Sequence, residues 1–128
     1  MSQMQTTDES TMEQAAALFK AMSDPNRLRI LDLLMQGDSC NCELKDQLGL
    51  PSNLLSHHLG ALRKAGLVNS RRDAIDGRWI YYAVDPATIT RWHEWFQQFL
   101  NPERIQFRQA LCGPEGQLVD EHVTLNAA

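Results

Sequence analysis

The segment that most limits the fold is NCELKDQLGLPSNLLSHHLGALRKAG, residues 41–66. It predicts a short helix over roughly 41–48 that stops at Gly49. Leu50-Pro51 then breaks the chain, and Ser52 offers the N-cap of a second helix, about 53–65, ending at Gly66. Two helices joined by the tight turn GLPS make a helix-turn-helix. On a wheel of about 100° per residue, Leu55, Leu59 and Leu62 fall together and face a core. Asn53, His57, Gly60 and Lys64 fall on the opposite pole, with Ser56 and Arg63 beside them.

That outer face has the chemistry of a major-groove reader. Asparagine can bond adenine with two hydrogen bonds, and lysine and histidine donate to guanine or phosphate. Gly60 lets the helix lie close to DNA. The bland alternative is an ordinary solvated helix face. The next segment of the chain favours DNA. VNSRRD and RWIYYAV are two β-prone runs around AIDG, which predicts a two-stranded hairpin. Arg71, Arg72 and Arg78 flank its loop and suit phosphate or minor-groove contact. Asp73 and Asp76 near the tip would repel phosphate, so the arginines are expected to do the touching. Trp79, Tyr81 and Tyr82 either stack on bases or, as such residues more often do, pack the hairpin onto the body.

Charge distribution agrees. The 128-residue chain carries −4 overall, but residues 45–82 hold six cations and three acids, net +3, against −7 elsewhere. The length suggests one domain, and 43% hydrophobic residues supply a core. Three cysteines do not make a secreted disulfide framework. With no apolar signal core or membrane-length run, a soluble cytoplasmic protein with reduced thiols is expected.

The flanks read as helices. Ser10 with Glu13 forms a capping box for a first helix over about 11–21, with Met12, Ala16, Leu18 and Phe19 as its apolar candidates. Asp24-Pro25 starts a second, carrying Leu28, Leu31, Leu34 and Met35 and stopping at Gly37. Asp85-Pro86 starts a fifth over about 86–100, with Ile89, Trp92, Trp95, Phe96 and Phe99 as a large apolar stripe. Asn101-Pro102 predicts a sixth, with Ile105 and Leu111 inward, ending at Cys112. The expected organisation is a flexible tail over 1–10, one mainly α winged helix-turn-helix domain over 11–112, and a C-terminal tail over 113–128.

The stretch PSNLLSHHLGALRKAGLV, followed by RRD, the insertion AID, and GRWIYYAVDP, resembles the ArsR/SmtB family of metal-sensing winged-helix repressors, arsenic-sensing type. LFKAMSDPNRLRILDLL resembles the same family, so the likeness covers about residues 14–86. It implies a homodimer that binds palindromic double-stranded operator DNA and leaves it when a metal or metalloid binds. It also implies dimerisation through the first and fifth helices, which here carry Phe19 and the stripe Ile89, Trp92, Trp95, Phe96 and Phe99. The AID insertion departs from many relatives, whose wing tip is shorter.

Cys40-Asn41-Cys42 sits where arsenic-sensing relatives carry their paired cysteines. Thiolates are soft ligands, and a close pair can chelate one soft centre such as arsenite or antimonite. The relatives' third cysteine, three residues on, is Lys45 here, so Cys112 is the candidate third sulfur, from either chain. The alternatives are structural cysteines, a redox switch, or zinc or cadmium held by Cys40, Cys42, Cys112 and a fourth ligand. His122 is the histidine nearest Cys112 in sequence. The family's other metal site needs more than the His93-Glu94 that the fifth helix offers, so no zinc is expected there. His57 is expected at DNA and His58 in a helix-edge hydrogen bond. A protein-binding winged helix is the competing class. No catalytic constellation points to an enzyme.

Overall fold

The computed structural model describes residues 7–114. Its first helix, α1, spans Glu9–Met22. Asp8, rather than Ser10, caps it, accepting from the Thr11 amide at 3.1 Å. Asp8 stands earlier in the chain and satisfies an orphan donor of the first turn. The inward residues are Thr11, Ala15 and Leu18, at four- and three-residue steps, whereas Ala16 faces out. Of the expected tails, 1–6 and 115–128, with His122, lie outside the described residues, and Glu9 and Ser10 are helical.

Helix α2, Pro25–Met35, starts as the Asp-Pro pair dictates, with the Asp24 carboxylate accepting from the Asn26 amide at 2.7 Å. Its buried residues are Ile30, Leu31 and Leu34. Leu28 and Met35 are exposed, contrary to expectation. They share a face, but it lies about 100° round from the buried arc. Strand β1 is only Ser39–Cys40, and helix α3, Asn41–Leu48, follows at once. Gly49 closes α3 at φ 65°, a left-handed position that favours glycine. Helix α4 is Ser52–Lys64. Pro51 is its N-cap, so Ser52 lies in the first turn and makes no cap. Gly66 ends it at φ 79°, with Leu67 N donating to the Leu62 carbonyl at 3.0 Å.

Strands β2, Val68–Arg72, and β3, Ile80–Val84, form the expected antiparallel hairpin, with Val68 opposite Val84 and Arg72 opposite Ile80. The sheet is three-stranded, in order β1-β3-β2, with Ser39 opposite Tyr82 and Cys40 opposite Tyr81. Two residues carry no period-two pattern, so β1 was invisible in sequence.

Helix α5, Pro86–Phe99, packs its aromatic stripe on α1. Trp95 stacks on Phe99 at 4.5 Å, and Phe19 of α1 meets Phe96 at 5.2 Å. Trp92 and Trp95 are buried within the single chain, while Ile89, Phe96 and Phe99 are half-buried. As interface candidates, the two tryptophans are therefore core residues first. The expected sixth helix is absent among the described residues. Asn101 caps only a 3-10 turn, Pro102–Arg104, and Ile105 and Leu111 are exposed. A helix there would need an apolar face to bury, and Ile105, Phe107 and Leu111 all stay exposed.

Candidate nucleic-acid interface and thiol pair

The core fixes how α4 is presented. Leu55, Leu59 and Leu62 are buried against α2 and the sheet. That turns Ser52, Asn53, Ser56, His57, Gly60, Arg63 and Lys64 to solvent, as the wheel predicted. His58 differs from the helix-edge expectation. It is 5% exposed, on the inner face. Its Nδ1 accepts from Arg27 Nε at 3.0 Å, and Arg27 also donates to the Ala21 carbonyl at 3.3 Å. A guanidinium only donates, so Nδ1 is the unprotonated nitrogen of a neutral imidazole. Nε2 then carries the proton and faces the Asp24 carboxylate at 3.9 Å. The Asn26 amide holds that carboxyl below its ordinary range, with Arg27 adding to the effect. Arg27 and His58 thus buckle the outward-facing helix to the α1–α2 junction. His57 lies 5.7 Å from His58, ring to ring, with its own ring exposed.

A cleft of about 570 Å³ runs between α4 and β2, lined by Gly60, Arg63, Lys64, Val68, Asn69 and Ser70. One wall carries two cations, the other an amide and a hydroxyl. Asn69 and Ser70 escaped sequence reasoning, though their place just ahead of Arg71-Arg72 was a usable signal.

The wing cations are not equivalent. Arg78 is held by Asp76 through three contacts, the shortest 2.7 Å. The pair pushes the arginine up and the aspartate down from their ordinary values. Arg72 donates to the Gly77 carbonyl at 2.6 Å, and Arg71 lies over the Tyr81 ring at 4.5 Å. All three are exposed. Arg78, expected as a free phosphate contact, already has its counter-ion. Asp73 accepts from the Ile75 and Asp76 amides at 3.0 and 2.9 Å, which lowers its carboxyl. Of the wing aromatics, Tyr82 is buried, Tyr81 is partly covered, and Trp79 is exposed.

At the other end of α3, Cys40 is both a strand residue and the helix N-cap. Its Sγ accepts from the Glu43 amide at 3.4 Å, and its own N–H donates to the Glu43 carboxylate at 3.1 Å. That N–H lowers the Glu43 carboxyl. Cys42 is exposed, and its Sγ lies 2.7 Å from that of Cys40. Burial first, then Cys42, pushes the Cys40 thiol up. Two soft donors side by side can both turn to one soft acceptor, which would hold them further apart than this. Cys112 is exposed beyond the 3-10 turn, and the described residues of one chain assemble no cluster of three or more metal-binding side chains. Among the described residues, Cys112 joins no such cluster with the pair.

Residues 24–70 match the profile of the bacterial regulatory proteins of the arsR family. An HTH-type transcriptional regulator of Methanocaldococcus jannaschii is 48% identical over 75 residues, 57% of this chain and 81% of that protein. The arsenic resistance transcriptional regulator ArsR1 of Pseudomonas putida is 31% identical over 101 residues, 72% of this chain and 76% of that one. The chain belongs to the arsR family. ArsR-family chains are winged helix-turn-helix, DNA-binding regulators of transcription, and these relatives are regulators rather than enzymes. A homodimeric winged helix-turn-helix domain from Mycobacterium bovis superposes with a TM-score of 0.58 at 28% identity, covering 80% of this chain and 93% of that one. The ArsR-family match runs from the Asp24 cap through the thiol pair and α4 into β2, and stops short of the wing tip.

Proposed function

We propose that this ArsR-family regulator is a homodimeric repressor. It holds palindromic operator DNA and releases it when trivalent arsenic or antimony is captured by Cys40 and Cys42. The observation that carries the proposal is the convergence of the two sulfurs, 2.7 Å apart, on the N-cap of the helix that precedes the reader. In this reading Asn53, Ser56 and His57 meet base edges, and Ser52, Arg63 and Lys64 meet phosphate. Gly60 permits close approach, and Arg71 and Arg72 hold the wing to DNA through phosphate contact. Homodimer formation is supported by the M. bovis structure and by Phe19, which is 39% exposed beside Phe96.

Capture at Cys40 competes with the work that sulfur already does. Ligation redirects it from the Glu43 amide and loads the point where β1 joins β3 of the wing. The DNA-bound form is disfavoured only to the extent that ligand binds it less well than the free form. Cys42, being exposed, is the first sulfur reached. A pyramidal arsenic centre takes three sulfurs, and Cys112 enters the proposal as a donor from the second copy.

Oxidation is the second reading, favoured by the same short sulfur–sulfur distance. Peroxide would take two electrons from the two thiols, forming one disulfide and two waters. Zinc or cadmium needs a fuller donor set than the pair supplies. The test is a release assay on a duplex that this protein enriches from a random pool. Arsenite, antimonite, cadmium, zinc and peroxide are compared on wild type, Cys40→Ser, Cys42→Ser and Cys112→Ser. Release by arsenite or antimonite that either pair substitution abolishes is expected. If neither substitution alters release by any agent, the thiol site is wrong. Unchanged release from Cys112→Ser removes the third sulfur alone.

A further inference from the structure

The wing tip displays an apolar side chain between its flanking arginines. Ile75 is 97% exposed, and Trp79 nearby is 43% exposed. The loop that carries Ile75 is tightly tied. Asp73 accepts from the Ile75 amide, Asp73 N donates to the Trp79 carbonyl at 2.9 Å, and Trp79 N donates to the Asp76 carbonyl at 3.1 Å. Arg72 closes the loop across Gly77. Residues 72–78 hold two arginines and two aspartates, so the tip carries no net charge. Arg78 and Asp76 pair with each other, and Asp73 is engaged by amides. Such a tip has little to offer a phosphate.

We propose that Ile75 is an apolar wedge which the wing presses into the minor groove of bound duplex DNA. The inference rests on the DNA-binding reading above. Continuity with the reader surface selects this occupant. The cleft lined by Arg63, Lys64, Asn69 and Ser70 lies between α4 and the strand that leads to the tip. A sugar-phosphate strand seated there has α4 in the major groove on one side. The wing then faces the minor groove on the other. Apolar side chains inserted at a minor-groove step unstack it and bend the duplex. The hydrogen-bonded loop presents Ile75 in one conformation, so little ordering is lost on contact. The segment AID carries the wedge on the tip loop, where Ile75 is 97% exposed.

The test uses the full chain and the enriched duplex, about 30 base pairs long, enough for two half-sites a helical turn apart. 2-Aminopurine replaces, one at a time, the adenines flanking the footprint. Wild type is expected to brighten one flanking position on each side, reporting unstacking. Ile75→Ala is expected to lose that brightening and to bind about tenfold more weakly per wing, as outer carbons lose a dry contact. Its salt dependence should match wild type, whereas Arg71→Ala should flatten the slope by about one per wing. Unaltered affinity and brightening in Ile75→Ala, with an unchanged melting curve, would overturn the wedge. Loss of the dimer in sedimentation by Ile75→Ala would also overturn it, by making Ile75 a protein contact. If the protein enriches no duplex, the DNA reading itself falls, and the wedge with it.

Discussion

Arg78 shows how far a residue's role depends on its nearest neighbour. In sequence it is one of three wing cations. In the fold it is clasped by Asp76, two positions earlier, in an exposed loop. Arg78→Ala should therefore weaken DNA binding less than Arg71→Ala, whose guanidinium faces only a ring. Asp76→Asn should free Arg78, tighten binding, and steepen the salt dependence by about one phosphate contact per wing, measured by anisotropy across salt concentrations. Weaker binding by Asp76→Asn would mean that the pair shapes the loop more than it masks the charge. The pairing was not legible because it depends on the tip's turn geometry, not on spacing alone. The outward set on α4 was legible, since helical periodicity fixes it once the leucines are assigned inward.

Among the elements, α4 is the one whose placement matters most, and a buried histidine helps hold it. His58→Ala leaves the Arg27 Nε–H without its acceptor and should cost about 1–3 kcal/mol in urea unfolding. His58→Gln, which keeps an acceptor, should recover part of that loss. Equal losses for both would show that packing, not the Arg27 bond, anchors the helix. Elements bounded by strong local chemistry were readable in advance. Asp24-Pro25 and Asp85-Pro86 start α2 and α5 where expected, and Gly49 and Gly66 follow the ends of α3 and α4. Elements that depend on distant partners were not. Strand β1 exists because β3 offers an edge, and it places Cys40 against the wing strand. The anticipated helix after Asn101 is a single 3-10 turn among the described residues, and the apolar residues beyond it stay exposed.

For the whole molecule, the thiol pair, the wing and the reader meet around α3. Cys40 pairs with Tyr81 of β3 and caps α3, and the GLPS turn leads directly into α4. The family likeness made this arrangement expected in outline, while the sulfur contact and the shared strand came only with the fold. The aromatic joint of α1 and α5 leaves Phe19 at its edge, beside a Trp95 whose indole nitrogen has no acceptor among the described residues. That joint is where the proposed second copy belongs. Release of DNA from α4 by thiol capture at the head of α3 can be read from the anisotropy of the enriched duplex. Wild type and the double variant Cys40→Ser/Cys42→Ser are each titrated with arsenite. Serine is a good N-cap, so the variant should keep α3 and bind the duplex. Arsenite should return the wild-type complex to the anisotropy of free DNA and leave the variant complex intact. Release of both complexes at the same arsenite concentration, or of neither, would contradict thiol capture as the signal.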